Sequence, residues 1–109
     1  MQLNEVADYT SKLNTKNLNK SINKKKKLDA IFENKKTKRT KKVSFGSAGM
    51  DDYTITKDKE QRDRYRKRHA KDLKTNDPTR AGYLSYYILW GDSTSRKTNI
   101  ASYKKRFKL

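Results

Sequence analysis

The sequence predicts a mainly α protein, with a small three-helix C-terminal module behind a long, extended or disordered basic N-terminal arm. Apolar residues make up 31% of the 109-residue chain and charged residues 38%, against about 45–50% and about 25% in an average soluble domain. The C-terminal apolar residues recur at helical spacing, whereas the N-terminal ones are sparse. The formal net charge of +17 predicts an acidic partner or a large assembly. We divide the chain into an arm at residues 1–42, a hinge at 43–52 and a helical module at 53–109.

The arm is expected to be disordered on its own. Its few apolar residues are interrupted by asparagines, so burial offsets little of the about 1–2 kcal/mol per residue that ordering a backbone costs. Leu28, Ile31 and Phe32 stand at i, i+3 and i+4. We interpret them either as an anchor that docks on a partner protein or as a transient helical turn.

Two lysine-rich runs lie in the arm, KKKK at residues 24–27 and KKTKRTKK at residues 35–42. Such runs are typical of nuclear-localisation signals and nucleic-acid patches, and also of solvated linkers. In each case they bind polyanions with a strong dependence on salt. The candidate contacts to a polyanion or acidic surface are Lys24, Lys25, Lys26, Lys27, Lys35, Lys36, Lys38, Arg39, Lys41 and Lys42.

The hinge consists of small residues around Gly46 and Gly49, which permit unusual backbone angles. It lacks the spacing of a phosphate-binding loop and the Lys-Ser or Lys-Thr pair that ends one. We therefore interpret it as a linker rather than a binding loop.

The first helix of the module is predicted from about Lys57 to Leu73, with Thr56 as its N-cap. Tyr65, His69 and Leu73 recur at i, i+4 and i+8 and form its packing face. Acid-before-base pairs at i, i+4 indicate a solvent-facing remainder. These predicted pairs are Asp58–Arg62, Glu60–Arg64 and Asp63–Lys67.

Cations cover most of this helix outside its packing face. Because arginine pairs bidentately with phosphate or carboxylate, the helix suits DNA phosphates or an acidic protein surface. The alternative is a soluble helix with internal ion pairs. The candidate contacts are Arg62, Arg64, Arg66, Lys67 and Arg68.

The second helix is predicted to begin at Asp77-Pro78, to run from Thr79 to Trp90 and to end at Gly91. It is apolar on most of its circumference, and two neighbouring helices can cover only part of that apolar surface. The uncovered part predicts a protein–protein surface, because Tyr and Trp dominate interface hot spots. With the arm cluster, the interface candidates are Tyr83, Tyr86, Trp90, Leu28, Ile31 and Phe32.

A last helix is predicted from about Arg96 to Phe107. Ile100, Tyr103 and Phe107 stand at i, i+3 and i+7 and are expected to face inward. Cations crowd its last turn, where they suit the helix dipole.

The residue types indicate neither catalysis nor a cofactor. The chain has no cysteine and a single histidine, which excludes thiolate sites and makes a histidine metal site or Ser/His triad unexpected. No apolar run approaches the about 20 residues of a membrane span. We expect a non-enzymatic protein with no catalytic residue, cofactor, metal, small-molecule substrate or membrane span.

Three stretches carry a family resemblance: DDYTITKDKEQRDRYRKRHAKDL, DPTRAGYLSYYILW and NIASYKKRF. Within about Gly49 to Phe107, the chain resembles a family of small basic proteins of unknown function from large double-stranded DNA viruses of algae and amoebae. The resemblance implies a viral origin and, with the composition, a place in a virion assembled in the host cytoplasm.

Two hypotheses follow, and a third is weaker. The first is a minor capsid or cement protein whose Tyr83, Tyr86 and Trp90 contact major and other minor capsid proteins. The second is a sequence-independent DNA-binding or DNA-condensing protein of the virion core, in which the basic residues neutralise phosphates. The third is an adaptor imported into the host nucleus. The capsid role requires the three aromatic rings at protein contacts, and the DNA role requires one continuous cationic face on the arginine-rich helix.

Overall fold

The computed structural model describes residues 13–34 and 36–109, with side chains described from Lys20 onward. Residues 13–47 form a three-stranded antiparallel sheet and the following residues form helices. The prediction of a mainly α protein is therefore wrong, and the fold is mixed α and β. The predicted extended or disordered arm is part of a paired sheet from Leu13 onward, and its residues 1–12 lie outside those described. The strands are β1 (Leu13–Lys20), β2 (Lys26–Asn34) and β3 (Thr40–Ser47), and the helices are α1 (Tyr53–Thr56), α2 (Lys59–His69), α3 (Ala81–Leu84) and α4 (Arg96–Phe107).

The sheet has the order β1-β2-β3, so β2 is its central strand. The apolar residues of β2 follow a period of two rather than the helical spacing predicted for them. Leu28 and Phe32 point to one face and Ile31 to the other, because successive side chains alternate along a strand. Phe32 is fully buried, and Leu28 packs against the same core.

The first half of the predicted hinge, residues 43–47, is strand. Its first residues complete β3, in which Phe45 is fully buried. Gly46 has φ +78°, and a Cβ at this position would lie 2.5 Å from Cδ1 of Leu89. Glycine is required here by both the backbone angle and the close approach of a core side chain.

The first predicted helix, from about Lys57 to Leu73, is found as two segments, α2 and a 3₁₀ turn, and the short helix α1 precedes them. Asp52 caps α1, and its carboxylate accepts from the backbone N–H of Thr54. Asp58, rather than Thr56, caps α2 by accepting from the backbone N–H groups of the next turn. The chain then continues as a 3₁₀ turn over Ala70–Thr75.

The second predicted helix begins later than the sequence indicates. The carboxylate of Asp77 accepts from the backbone N–H and hydroxyl of Thr79 at 3.0 and 2.6 Å, which caps a turn. The helix α3 starts only at Ala81 and continues as a π-helical segment over Ser85–Leu89. The predicted bounds of the last helix are confirmed by α4, which Ser95 caps.

The core lies between the sheet and the helices. The sheet covers part of the apolar segment formed by α3 and the π-helical residues. The fold-class prediction failed because it left this surface to a partner protein and assigned no sheet to the chain. The buried core residues are Ala30, Phe32, Phe45, Tyr83, Leu84, Ile88, Leu89, Trp90 and Tyr103.

Gly91→Ala is expected to destabilise the fold by about 1–3 kcal/mol or more, because a Cβ would overpack a filled site. The added Cβ would lie 2.2 Å from the carbonyl oxygen of Tyr87 and 2.8 Å from Cγ of Asn99. The carbonyl oxygen is backbone and cannot move aside as a flexible side chain can. Urea unfolding monitored by circular dichroism measures the change, and a variant as stable as the wild type would contradict this packing.

Candidate nucleic-acid interface

Two arginines of α2, Arg62 and Arg66, form hydrogen bonds within the protein. The buried Arg62 donates to the carboxylate of Asp63 at 2.9 and 3.0 Å. Its guanidinium also lies over the ring of Tyr53, 4.9 Å from the ring centroid. Arg62 therefore ties α2 to α1 and is not available to a partner.

Arg66 also forms hydrogen bonds that stabilise the fold. Its guanidinium donates to the backbone carbonyl of Trp90 at 2.7 Å and to the carboxylate of Asp92 at 2.9 Å. The hydrogen bond from Arg66 holds the pKa of Asp92 below its usual value. Arg66 thus anchors α2 to the loop after the π-helical segment.

The other cations of α2 form one exposed face. Arg64, Lys67, Arg68 and Lys71 are exposed and stand at i, i+3, i+4 and i+7, with Lys71 in the 3₁₀ turn that follows α2. Residues at this spacing are neighbours on a helix surface. We call these four residues the basic ridge.

The basic ridge is not neutralised by nearby acids. None of its members forms a salt bridge with an acidic side chain in the part of the chain that the structure describes. The three predicted i, i+4 pairs do not form there either. Asp58 caps α2, Asp63 pairs with Arg62, and no ion pair joins Glu60 to Arg64 among the described residues. The ridge therefore presents to solvent four cations that are not paired with an acidic side chain.

The lysine-rich runs lie in the sheet and its loops rather than in an arm. Lys27 is held by the carboxylate of Asp52 at 2.5 Å, and Lys41 donates to the hydroxyl of Thr79 at 2.8 Å. Lys35 lies outside the residues described. The remaining candidates, Lys24, Lys25, Lys26, Lys36, Lys38, Arg39 and Lys42, are exposed.

A cleft of about 590 Å³ between the sheet and α2 brings the two basic segments together. Lys26 and Lys27 at the start of β2 line it on one side, and Arg68 and His69 at the end of α2 line it on the other. These residues are far apart in the sequence, so no local pattern predicts their meeting. The cleft and the adjoining basic ridge form the candidate site.

Three aromatic rings stack at the wall of this cleft. Tyr65 lies 4.3 Å from Trp90 at an interplanar angle of 8° and 4.1 Å from His69 at 22°. Each ring occupies one face of Tyr65, because one face cannot hold two rings at such distances. We call this set the ring stack. The sequence predicted that Tyr65 and His69 pack, but it did not pair them with Trp90.

The ring stack is closed at one end and open at the other. Trp90 is only 8% exposed, whereas the side chain of His69 is 38% exposed. The carboxylate of Asp72 lies 3.0 Å from Nδ1 of His69 and orients its ring. Burial raises the pKa of the Tyr65 hydroxyl, so this middle ring stays neutral.

The aromatic residues predicted to contact partner proteins are mostly internal. Tyr83 is 7% exposed and its hydroxyl donates to the carbonyl of Leu73 at 2.6 Å, while Trp90 closes the ring stack. Tyr86 is half-buried and lies under the guanidinium of Arg66. In the strand β2, Phe32 is buried and Leu28 and Ile31 are half-buried.

No group of three or more His, Asp or Glu side chains within residues 13–34 and 36–109 is arranged to hold a metal ion. No helix in the same ranges is long and apolar enough to cross a membrane.

Comparison with known proteins gives one match. Residues 16–69, just under half of the chain, match a family of unknown function (DUF5754). No curated protein and no solved structure matches the chain. The matched stretch contains all of β2, β3 and α2, and thus both sides of the cleft. It overlaps the viral resemblance only over residues 49–69 and carries no function of its own, so the viral origin stays a prediction.

Proposed function

We propose that the protein is a non-enzymatic, sequence-independent nucleic-acid-binding protein that contacts phosphates through the basic ridge. The observation that supports this most is the set of four exposed cations on one helix face, free of acidic partners among the described residues. A continuous cationic face of this kind is what a phosphate-tracking helix needs.

The physical basis is counterion release. Each phosphate that a lysine or arginine neutralises frees condensed counterions, which favours binding at low salt without reading the bases. The net charge of +17 and the exposed lysines of the sheet loops add to this attraction. The ridge carries arginine, which pairs bidentately with phosphate, and lysine, which binds phosphate as a point charge.

The capsid role is the less favoured proposal. It needs Tyr83, Tyr86 and Trp90 at protein contacts, but Tyr83 and Trp90 are core residues and Tyr86 is half-buried. The residues that would carry protein–protein affinity are thus mostly used within the chain.

The setting proposed for this activity is the core of a virion assembled in the host cytoplasm, and it rests on the resemblance alone. Stepwise disruption of purified particles tests it. We expect the protein to stay with the genome and to be released by nuclease or high salt. Release with the major capsid protein would instead favour the capsid role, and absence from particles would remove the virion setting.

Neutralising the ridge is expected to weaken duplex DNA binding by about 10- to 100-fold at physiological salt, because three phosphate contacts are lost. The variant replaces Arg64, Lys67 and Lys71 by glutamine. Its matched control replaces Lys97, Lys105 and Lys108, three exposed lysines in or just after α4. Both variants lose three positive charges. A difference between their affinities for one labelled duplex, measured by fluorescence anisotropy, therefore reports on the ridge and not on the net charge. Equal losses in the two variants would contradict a ridge-centred site.

A further inference from the structure

We propose that the cleft beside the ridge holds an unpaired base of a single-stranded nucleic acid, stacked on the outer face of His69. This inference rests on the proposed function and adds the substrate class to it. The basic ridge binds the phosphates, and the cleft receives the base.

The geometry of the ring stack supports this inference first. Tyr65 is covered by a ring on each face, and Trp90 is buried, so a further ring can join only at His69. His69 is the partly exposed member and lines the cleft. Proteins that bind single strands use partly exposed rings of this kind as stacking platforms, because every base has a π-face.

The platform is rigid. The ring of His69 is held between Tyr65 on its inner face and the carboxylate of Asp72 at its Nδ1 edge. A ring fixed in this way loses little freedom when a base stacks on it, so less of the stacking energy is cancelled.

The charges in the cleft suit a base better than a phosphate. The lysine and carboxylate of the Lys27–Asp52 pair neutralise each other, and Asp72 faces His69. Carboxylates such as Asp72 accept hydrogen bonds from the amino groups of bases but repel phosphates. The cations without an acidic partner among the described residues, Lys26 and Arg68, are exposed, which places phosphates at the mouth and the base inside.

A duplex cannot use this site without breaking a base pair. Its bases are already stacked on their neighbours and paired along their edges, so only an unpaired base can enter a cleft and stack. The structure therefore assigns a preference for single strands over duplexes to the cleft, while the ridge accepts both.

The test compares two labelled 12-nucleotide single strands with the same phosphates, one with bases and one abasic. We expect the wild-type protein to bind the strand with bases about fivefold or more tightly, as stacking one base predicts. His69→Ala is expected to bind both strands alike, and His69→Phe to retain the preference because it keeps the ring. Circular dichroism and unfolding midpoints verify that each variant is folded.

The outcomes separate this inference from the proposed function. Equal binding of both strands by the wild type, an unchanged preference in His69→Ala, or its loss in a folded His69→Phe would each overturn the stacking site. The ridge function would then stand as long as the ridge variant weakens binding of both strands. If the ridge variant binds both strands as the wild type does, the proposed function falls and the stacking inference falls with it.

Discussion

Replacing Asp52 by alanine is expected to lower the free energy of unfolding by about 3 kcal/mol, because the change leaves the largely buried Lys27 and the partly buried Arg96 without their counter-charge. Its side chain is 1% exposed and accepts from Lys27 at 2.5 Å and Arg96 at 3.1 Å. It also caps α1 through the backbone N–H of Thr54. One carboxylate thus joins β2, α1 and α4, which are distant in sequence.

Urea unfolding measures this loss, and Asp51→Ala is the matched control. Asp51 is the adjacent aspartate but is exposed, so its replacement is expected to change stability by less than about 0.5 kcal/mol. Equal, small effects of the two substitutions would show that Asp52 does not join these elements.

The same carboxylate gives stability a pH dependence. Burial alone would raise the pKa of Asp52, but the hydrogen bonds from Lys27 and Thr54 and the charges of Lys27 and Arg96 outweigh it, so the pKa lies below its usual value. A depressed folded-state pKa gives stability that is present above the unfolded pKa of about 4 and is lost as pH falls through the folded value. Asp52→Asn is therefore expected to flatten the acid side of the stability profile relative to the wild type.

Replacing Phe32 by alanine is expected to lower the free energy of unfolding by about 3–5 kcal/mol, since it removes a large side chain from a filled core. Phe32 is fully buried between the sheet and the helices. Ile31→Ala, the neighbouring substitution on the other face of β2, is expected to cost less because that side chain is only half-buried.

Thermal unfolding of the two variants distinguishes this fold from the arm-and-module division. A disordered arm predicts that neither substitution changes the melting temperature. The structure also changes the expected result of deleting residues 1–42. The arm-and-module division predicts that the helical module stays folded without these residues, but with Phe32 in the core we expect the helices to lose most of their stability.

Helices α2 and α4 were predictable because their signals are local, whereas α1 was not predicted and α3 begins later than the sequence indicates. The bounds of α4 follow from the inward-facing spacing of Ile100, Tyr103 and Phe107, and α2 lies within the predicted range. Their caps were harder to place, since Asp58 competes with Thr56 for the same role. Neighbouring acceptors at a helix start give nearly the same local pattern.

The sheet was missed although part of its signal was present. Leu28, Ala30 and Phe32 alternate with other residues, and Val43 and Phe45 do the same, which is typical of strands. The lysine runs on both sides lowered the mean hydropathy and favoured disorder instead. The strands become stable only when the helices cover their apolar face, and a local pattern does not contain that long-range packing.

The candidate site was likewise only partly predictable from the sequence. The ridge spacing of Arg64, Lys67 and Arg68 can be read from one helix, but the internal roles of Arg62 and Arg66 depend on partners elsewhere in the fold. The meeting of Trp90 with Tyr65 is likewise a tertiary contact.

The most direct test of the basic ridge is the salt dependence of duplex binding, measured from 50 to 300 mM salt for the wild type and the two glutamine variants. Each phosphate contact contributes about 0.9 to the slope of log Kobs against log salt. The ridge variant at Arg64, Lys67 and Lys71 is therefore expected to lower the magnitude of the slope by about 2.7, and the α4 control is expected to keep the wild-type slope. A ridge variant with the wild-type slope would contradict phosphate binding at the basic ridge, because the duplex would then bind elsewhere.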